Sequence, residues 1–247
     1  NDSDARTLIV ENQEQLAKAL TIRGKMDRLA EIVVIERPAG QDPGVLTWEE
    51  LRRRGRDARR GFAATLEQRL KETRADDIAS IVYTSGTTGP PKGVVQTHGN
   101  HMATMRALRQ IWDVGEGDKD LLFLPLAHSF AQAEAYFGVL AGNATAFAEN
   151  LDKVGENLKE TRPTFIASVP RVFEKVYARI LAGVEAGSHG KKKIFYWALG
   201  VGRRVSQAEQ AGRPIPLGLR LKHRIAHKLV FSKLHHALGG RLRFAGD

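Results

Sequence analysis

The sequence has 247 residues, of which 42% are hydrophobic and 27% charged, and this composition excludes a disordered or fibrous chain. Cysteine is absent, which excludes disulfides, thiolate metal sites and thiol nucleophiles and leads us to expect a reducing, cytoplasmic compartment. The net charge of +10 is uneven, because residues 190–243 carry thirteen Lys and Arg against one acid, Glu209. We see no signal peptide and no apolar stretch long enough to span a bilayer.

The first third of the chain predicts strands and helices in alternation. Apolar runs indicate short strands at residues 8–10 and 32–35, with a helix from the capping residue Asn12 to about residue 29 between them. Thr47 and Glu50 have the spacing of a capping box, and the helix that they begin repeats apolar residues on roughly one face. These apolar residues are Leu51, Phe62, Leu66 and Leu70.

The same alternation continues as far as residue 180. Predicted strands lie at residues 81–83, 121–126, 144–148 and 164–169, and predicted helices lie at residues 98–112, 130–140 and 151–160. Pro170 is expected in the first turn of a further helix, with Phe173, Val176 and Tyr177 as core residues. Alternating strands and helices predict an α/β fold of mostly parallel sheets flanked by helices.

Residues 190–243 form a helical basic segment near the C-terminal end. Three uses of its charge stay open: a solvated helical face, contact with an anionic membrane, or binding to nucleic acid. Nucleic acid is not expected, because the segment has no DNA-reading motif. If the segment serves membranes, the basic residues of 191–193, 203–204 and 222–224 should share one exposed face. His223 and His227 stand four apart without acidic partners, so we predict no metal site.

Residues 81–95 read IVYTSGTTGPPKGVV and carry the most informative pattern. The apolar start predicts a buried strand, and we expect the loop at residues 84–93 to be exposed and mobile and to join that strand to a helix. Its residue types suit a phosphate, since glycines admit an anion to the backbone, hydroxyls donate hydrogen bonds and a lysine supplies charge. These candidate nucleotide-binding residues are Thr84, Ser85, Gly86, Thr87, Thr88, Gly89, Lys92 and Gly93.

This loop resembles the phosphate-binding signature of the adenylate-forming enzymes, and residues 85–93 match that signature at every position. Residues 124–128 (LPLAH) and 168–175 (SVPRVFEK) resemble motifs of fatty acyl-CoA synthetases, the second of them typical of the bacterial long-chain branch. The resemblance covers nearly the whole chain. It implies that residues 1–247 are part of the large N-terminal domain, incomplete at both ends and without the mobile C-terminal domain.

The resemblance also implies an activity, that of a long-chain fatty acid–CoA ligase. Such enzymes use ATP and Mg²⁺ to convert a long-chain fatty acid to an acyl-adenylate and then transfer the acyl group to coenzyme A. His128 is the implied catalytic residue, beside the acyl carboxylate; alternatively it only caps the next helix. The chain by itself is expected to be inactive, and contact at the inner face of the membrane through residues 190–243 would suit a lipid substrate.

Two other functions stay open at this point. The chain fits another adenylate-forming enzyme, an aryl-CoA ligase or a fatty-acyl-AMP ligase, because the acyl acceptor is not determined by these residues. It also fits a non-catalytic basic module that binds membrane or nucleic acid and keeps a vestigial loop. Arg171 is similarly open, either as a residue near the acyl pocket or as the ion-pair partner of Glu174.

Overall fold

Two units make up the chain, residues 1–100 and residues 101–247. The computed structural model describes residues 3–36, 40, 42–85 and 89–246. The first unit opens with a parallel sheet in the order β1–β2–β3, formed by Thr7–Val10, Glu31–Val34 and Val45–Thr47. Helix α1, Gln13–Ile22, connects β1 to β2 as the crossover that parallel neighbours require.

Burial of one side of α1 explains this arrangement. Leu16 and Ala19 pack with Val10, Ile32 and Val34 in a closed apolar cluster. Asn12 caps the helix as predicted, because its side-chain oxygen accepts a hydrogen bond of 3.1 Å from the N–H of Gln15. The predicted end near residue 29 is wrong: the helix ends at Ile22 and a 3₁₀ turn, Arg23–Lys25, follows. The chain must turn back there to enter β2 beside β1.

Helix α2, Trp48–Glu72, follows β3 directly and begins at the predicted capping box. The N–H of Thr47 donates to the Glu50 carboxylate at 3.0 Å, and the N–H of Glu50 donates to the Thr47 hydroxyl at 3.2 Å. None of the residues of α2 is buried, and the side chains of Phe62, Leu66 and Leu70 are exposed. Local interactions therefore stabilise α2 more than packing does.

A β-hairpin ends the first unit. Strand β4, Ile78–Thr84, pairs antiparallel with β5, Lys92–Thr97, and helix α3, His98–Ile111, begins at the next residue. The predicted connection was wrong, because residues 84–93 join two strands of one hairpin and do not lead into a helix. The strand before the loop is also less buried than predicted, since only Val82 in it is buried.

The second unit contains two pairs of parallel strands with helices between them. Strand β6, Lys119–Leu122, pairs with β7, Ala144–Phe147, and strand β8, Phe165–Ala167, pairs with β9, Phe244–Gly246. Helices α4, Ser129–Ala141, and α5, Val154–Thr161, lie between these strands in the chain. The predicted α/β class with mostly parallel sheets is confirmed, with strand ends shifted by up to four residues.

An aromatic cluster forms the main core of this unit. The Trp112 ring centroid lies 5.5 Å from that of Phe137, 5.9 Å from that of Phe165 and 5.8 Å from that of Phe244. Met105, Val114 and Ala141 close the cluster. Such aromatic contacts add to the stabilisation that burial alone provides.

The remaining helices form the predicted basic helical segment and the helix before it. They are α6, Pro170–Glu185; α7, His189–Gln210; α8, Leu217–Ala226; a π-helical turn, His227–Phe231; and α9, Ser232–Ala237. Pro170 begins α6 as predicted, but Val176 and Tyr177 are exposed, so they are not core residues; only Phe173 packs against a buried cluster. In the described ranges, no helix has both the length and the apolarity to cross a bilayer.

Candidate functional site

The tip of the β4–β5 hairpin holds the described part of the predicted phosphate loop. Thr84 is the last residue of β4 and lies opposite Lys92, the first residue of β5. Directly opposed residues of an antiparallel pair project their side chains to the same face. The hydroxyl of Thr84 and the ammonium of Lys92 therefore share one face of the hairpin tip, one at each end of the loop.

Two glycines shape this tip for different reasons. Gly89 has a backbone φ of +100°, a region that L side chains rarely adopt, and no atom lies within 4 Å of the place where a Cβ would be. Gly93 lies opposite Tyr83, and a Cβ there would stand 2.9 Å from Cγ2 of Ile81 and 3.2 Å from the Tyr83 ring. The first glycine is required by backbone conformation and the second by space.

The described loop residues are open to solvent. Thr84, Ser85, Gly89, Lys92 and Gly93 are all exposed, so the prediction of an exposed loop is confirmed for these positions. Gly86, Thr87 and Thr88 lie outside the described residues, and their roles stay predictions, as does the mobility of the loop.

His128 stands in the second unit, at the N-terminus of α4. Its N–H donates to the Pro125 carbonyl at 2.9 Å and its carbonyl accepts from the N–H of Gln132 at 3.2 Å. The Gln132 side chain also donates to the Leu126 carbonyl at 2.9 Å, which links α4 to the turn before it. The imidazole makes no capping hydrogen bond and is exposed. His128 is therefore the N-cap residue of α4 through its backbone alone, and its ring takes no part in the cap. Its catalytic role stays a prediction.

The second unit also contains a pair of buried acids that the sequence analysis missed. Glu134 of α4 and Asp120 of β6 are both buried. Asp120 Oδ1 accepts a hydrogen bond of 3.0 Å from Nδ2 of Asn143. In the described part of the chain, Asp120 Oδ2 and both carboxylate oxygens of Glu134 have no hydrogen-bond partner of ordinary geometry.

Burial changes the acidity of both groups. The pKa of Glu134 is raised to about 8, first by burial and second by the nearby Asp120 carboxylate, while a hydrogen bond from the Ala167 backbone offsets part of the change. Burial likewise raises the pKa of Asp120 to about 6, against hydrogen bonds from Thr145 and Asn143. At neutral pH Glu134 therefore holds its proton. The signal that could have revealed it is a lone acid in the apolar helix FAQAEAYFGVLA.

The sequence pattern of the AMP-binding enzymes matches residues 1–240. The chain belongs to this family. Among curated members, it is 34% identical over 248 residues to the long-chain-fatty-acid–CoA ligase ACSBG2 of Xenopus laevis, covering 96% of this chain and 32% of the relative. It is 35% identical over 246 residues to the long-chain-fatty-acid–CoA ligase FadD15 of Mycobacterium tuberculosis, covering 99% of this chain and 39% of the relative.

Solved structures support the same fold. The crystal structure of a long-chain-fatty-acid–CoA ligase (FadD1) from Archaeoglobus fulgidus aligns with a TM-score of 0.52 and 22% identity, over 74% of this chain and 34% of that chain. A red-emitting luciferase from Phrixothrix hirtus aligns with a TM-score of 0.50 and 17% identity, over 69% of this chain and 32% of that chain. At these identities the likeness shows the fold of the family. The chain spans about a third of the length of the curated relatives that it matches.

Proposed function

We propose that this chain is part of the large N-terminal domain of a long-chain fatty acid–CoA ligase, and that its hairpin tip binds the phosphates of ATP. One observation carries the proposal: Thr84 and Lys92 are exposed on the same face, at the two ends of a loop of glycines and hydroxyls. A hydroxyl and an ammonium on one face can bind neighbouring oxygens of one phosphate chain. The substrate class rests on the names of the relatives, which are long-chain-fatty-acid–CoA ligases.

The proposed reaction in the whole protein has two steps. A fatty-acid carboxylate oxygen attacks the α-phosphorus of ATP, the bond to the bridging oxygen breaks, and pyrophosphate leaves with the electron pair. The thiol of coenzyme A then displaces AMP from the acyl carbon. Dense negative charge on the phosphates opposes the first step, and preorganised donors and a cation lower that barrier. We assign this role to Thr84, Ser85, Gly86, Thr87, Thr88, Gly89, Lys92 and Gly93.

Mg²⁺ would enter as a complex with ATP, held mainly by phosphate oxygens, and would neutralise the leaving pyrophosphate. In the described ranges, no three His, Asp or Glu side chains lie close enough together to hold a metal ion. These residues therefore do not fit a resident magnesium site, and the proposal gives them no metal-binding role.

We propose that His128 contacts the acyl carboxylate during activation. Support comes from its exposed imidazole and from the backbone hydrogen bonds to Pro125 and Gln132 that fix the turn carrying it. A neutral imidazole can donate a hydrogen bond to a carboxylate oxygen without a change in protonation. Replacement by Gln, which keeps a donor, should retain more activity than replacement by Ala.

The test is fatty-acid-dependent exchange of labelled pyrophosphate into ATP by the whole protein. Lys92→Ala should lower the exchange rate roughly ten- to a thousandfold, because one charged contact to the transition state is lost. The matched control is Lys71→Ala, since Lys71 is also exposed in the first unit but lies in α2. Wild-type exchange by Lys92→Ala would disprove the role of the loop.

The same assay with different acid substrates distinguishes a long-chain fatty acid–CoA ligase from the other adenylate-forming enzymes. Exchange with palmitate but not benzoate supports a fatty-acid ligase, and the reverse supports an aryl-CoA ligase. Acyl-adenylate that persists when coenzyme A is added identifies a fatty-acyl-AMP ligase. We expect residues 1–247 alone to show no turnover and no tight ATP binding, since they span about a third of the relatives' length.

We further propose that the protein is cytoplasmic and makes peripheral contact with the inner face of the membrane through residues 190–243. The support is electrostatic: thirteen Lys and Arg against Glu209 in this segment create a positive field that attracts anionic lipid. The predicted single face is wrong for Lys191, Lys192 and Lys193, because consecutive residues of helix α7 are about 100° apart. The proposal therefore does not rest on these three lysines. Lys192 instead pairs with Glu185 at 2.9 Å.

A further inference from the structure

Helix α8 and the π-helical turn after it have a packed inner face. Ala226 and Val230 are buried against Phe195, Ala198 and Val201 of α7. Leu219 packs partly into the same cluster. These contacts fix which side of α8 packs against α7. The side of α8 that faces away from α7 is therefore exposed to solvent.

On the outer side runs a row of apolar residues at every fourth position. It comprises Leu217, Leu221, Ile225 and Leu229, with exposures of 82%, 60%, 44% and 45%. Residues four apart lie above one another along a helix, so these side chains form a continuous stripe. We call this stripe the apolar row. Four adjacent exposed aliphatic side chains on one packed helix are unusual for a surface without a partner.

A second row of basic residues runs beside the first. Arg220, Arg224 and Lys228 each precede a member of the apolar row by one residue and are exposed. We call them the basic row. Residues 210–246 contain no Asp or Glu. Within the described part of the chain, no ion pair includes any member of the basic row. Among the described residues, no carboxylate therefore compensates these three charges.

We infer that the apolar and basic rows of α8 form a docking surface for an anionic bilayer, with the helix lying in the plane of the interface. The apolar row enters the boundary of the acyl chains and the basic row contacts lipid phosphates, which is how amphipathic helices bind membranes. The inference rests on the membrane contact proposed above and adds to it the element that makes the contact and the way in which it does so.

Charge and apolarity together select this partner. A nucleic-acid backbone would match the basic row but leave the apolar row against phosphates and sugars. An apolar protein groove would match the apolar row but leave three cations without counter-charges. An anionic bilayer offers acyl chains to the apolar row and, a few ångströms away, phosphates to the basic row.

The experiment is cosedimentation of the whole protein with vesicles of phosphatidylcholine, with and without about one third phosphatidylserine. The wild type should bind the anionic vesicles and not the neutral ones. Arg220→Gln with Arg224→Gln should lower the partition coefficient about 30-fold, from roughly 1 kcal/mol for each cation lost. Leu221→Ser should lower it roughly tenfold through loss of apolar transfer.

Two matched controls test the location. Leu151→Ser changes the same residue type at 62% exposure, against 60% for Leu221, but beside Glu149 and Asp152. Lys175→Gln with Arg179→Gln removes two exposed cations four residues apart on α6. Both controls should bind anionic vesicles as the wild type does. Pyrophosphate exchange, measured in parallel, should be unchanged in every variant, so that a failure of the ligase proposal is recognised separately.

Several outcomes would overturn the inference. If the wild type binds neither kind of vesicle, the membrane contact and the α8 surface are both wrong. If it binds anionic vesicles but the α8 variants bind equally well, the contact stands and α8 is not its site. Loss with the arginine variants but not with Leu221→Ser would show electrostatic adsorption without insertion. Displacement of the protein from vesicles by duplex DNA of equal charge would make nucleic acid the partner.

Discussion

The β4–β5 hairpin and the aromatic cluster around Trp112 differ in burial and in the types of residue that form them. Among the described residues of the hairpin only Val82 is buried, and the described residues of its tip, Thr84, Ser85, Gly89, Lys92 and Gly93, are open to solvent. In the cluster, Phe137 and Phe165 are almost fully buried and four aromatic rings contact one another. The difference teaches that residues proposed for binding can change without unfolding the protein, whereas the residues that hold the fold have no part in the proposed chemistry.

The largest expected effect tests the core side of this comparison. Phe165→Ala removes a buried ring that contacts Trp112 and Phe244, so it should lower the free energy of unfolding by about 3–5 kcal/mol. Phe147→Ala, at an exposed position of β7 in the same unit, is the control and should cost less than about 1 kcal/mol. Urea unfolding followed by tryptophan fluorescence measures both. Similar losses from the two variants would contradict the assignment of the core.

The next effect concerns the buried acid of α4 and depends on pH. Because the pKa of Glu134 is raised from 4.5 to about 8, the folded state keeps a proton that the unfolded state releases within this range. Stability is therefore full below about pH 4.5 and falls as pH rises to about 8. Glu134→Gln removes the titration, so its stability relative to wild type should increase with pH, by at most about 1.4 kcal/mol per pH unit.

Chemical unfolding at several pH values across this range measures the difference. The control is Glu156→Gln, which changes an exposed glutamate of α5. Its unfolding free energy relative to wild type should stay nearly constant with pH. A constant difference for Glu134→Gln as well would mean that the Glu134 carboxyl is hydrated or ionised in the folded protein.

A smaller effect tests the binding side of the comparison. Thr84→Val keeps the shape and strand preference of the residue but removes the hydroxyl proposed to face a phosphate. Pyrophosphate exchange by the whole protein should fall about tenfold, while the urea midpoint should not change. Thr65→Val, at an exposed position of α2, should change neither quantity. A shifted urea midpoint for Thr84→Val would show that this side chain serves the fold instead.

The smallest effect concerns the backbone of Gly89 in the loop of the β4–β5 hairpin. Gly89→Ala places a Cβ on a backbone with φ of +100°, which should cost about 1 kcal/mol or force the loop into another conformation. ATP affinity of the whole protein should fall by a similar free energy, measured by calorimetry. Gly155→Ala in α5 is the control, because no atom lies within 4 Å of its Cβ position and its backbone is helical. Unchanged ATP affinity in Gly89→Ala would place the nucleotide elsewhere.

Local signals in the sequence predicted the fold well, and pairing between distant segments accounts for what they missed. The cap at Asn12, the capping box of Thr47 and Glu50, and Pro170 in a first turn depend on neighbours within four residues, and all three are confirmed. Strands β3 and β5 were missed. Val45–Thr47 is too short to show a period, and it becomes a strand only because β2 lies beside it.

In the candidate site, too, local residue types were predictive and features that depend on distant segments were missed. Residue types identified the loop, because glycines, hydroxyls and lysine suit a phosphate wherever they occur. The same residues did not show that Lys92 begins a strand opposite Thr84, since that depends on the register of β4 with β5. Glu134 was missed because a single acid in an apolar helix is informative only once burial is known.

The two glycines of the hairpin tip have a consequence for the handedness of any replacement. Position 89 disfavours L side chains because of its positive φ, so a D-alanine introduced there by chemical synthesis would match the backbone and find empty space around it. Position 93 is limited by the Ile81 and Tyr83 side chains across the hairpin, so there the constraint is volume. Glycine is thus needed at position 89 because of backbone handedness and at position 93 because of the space available.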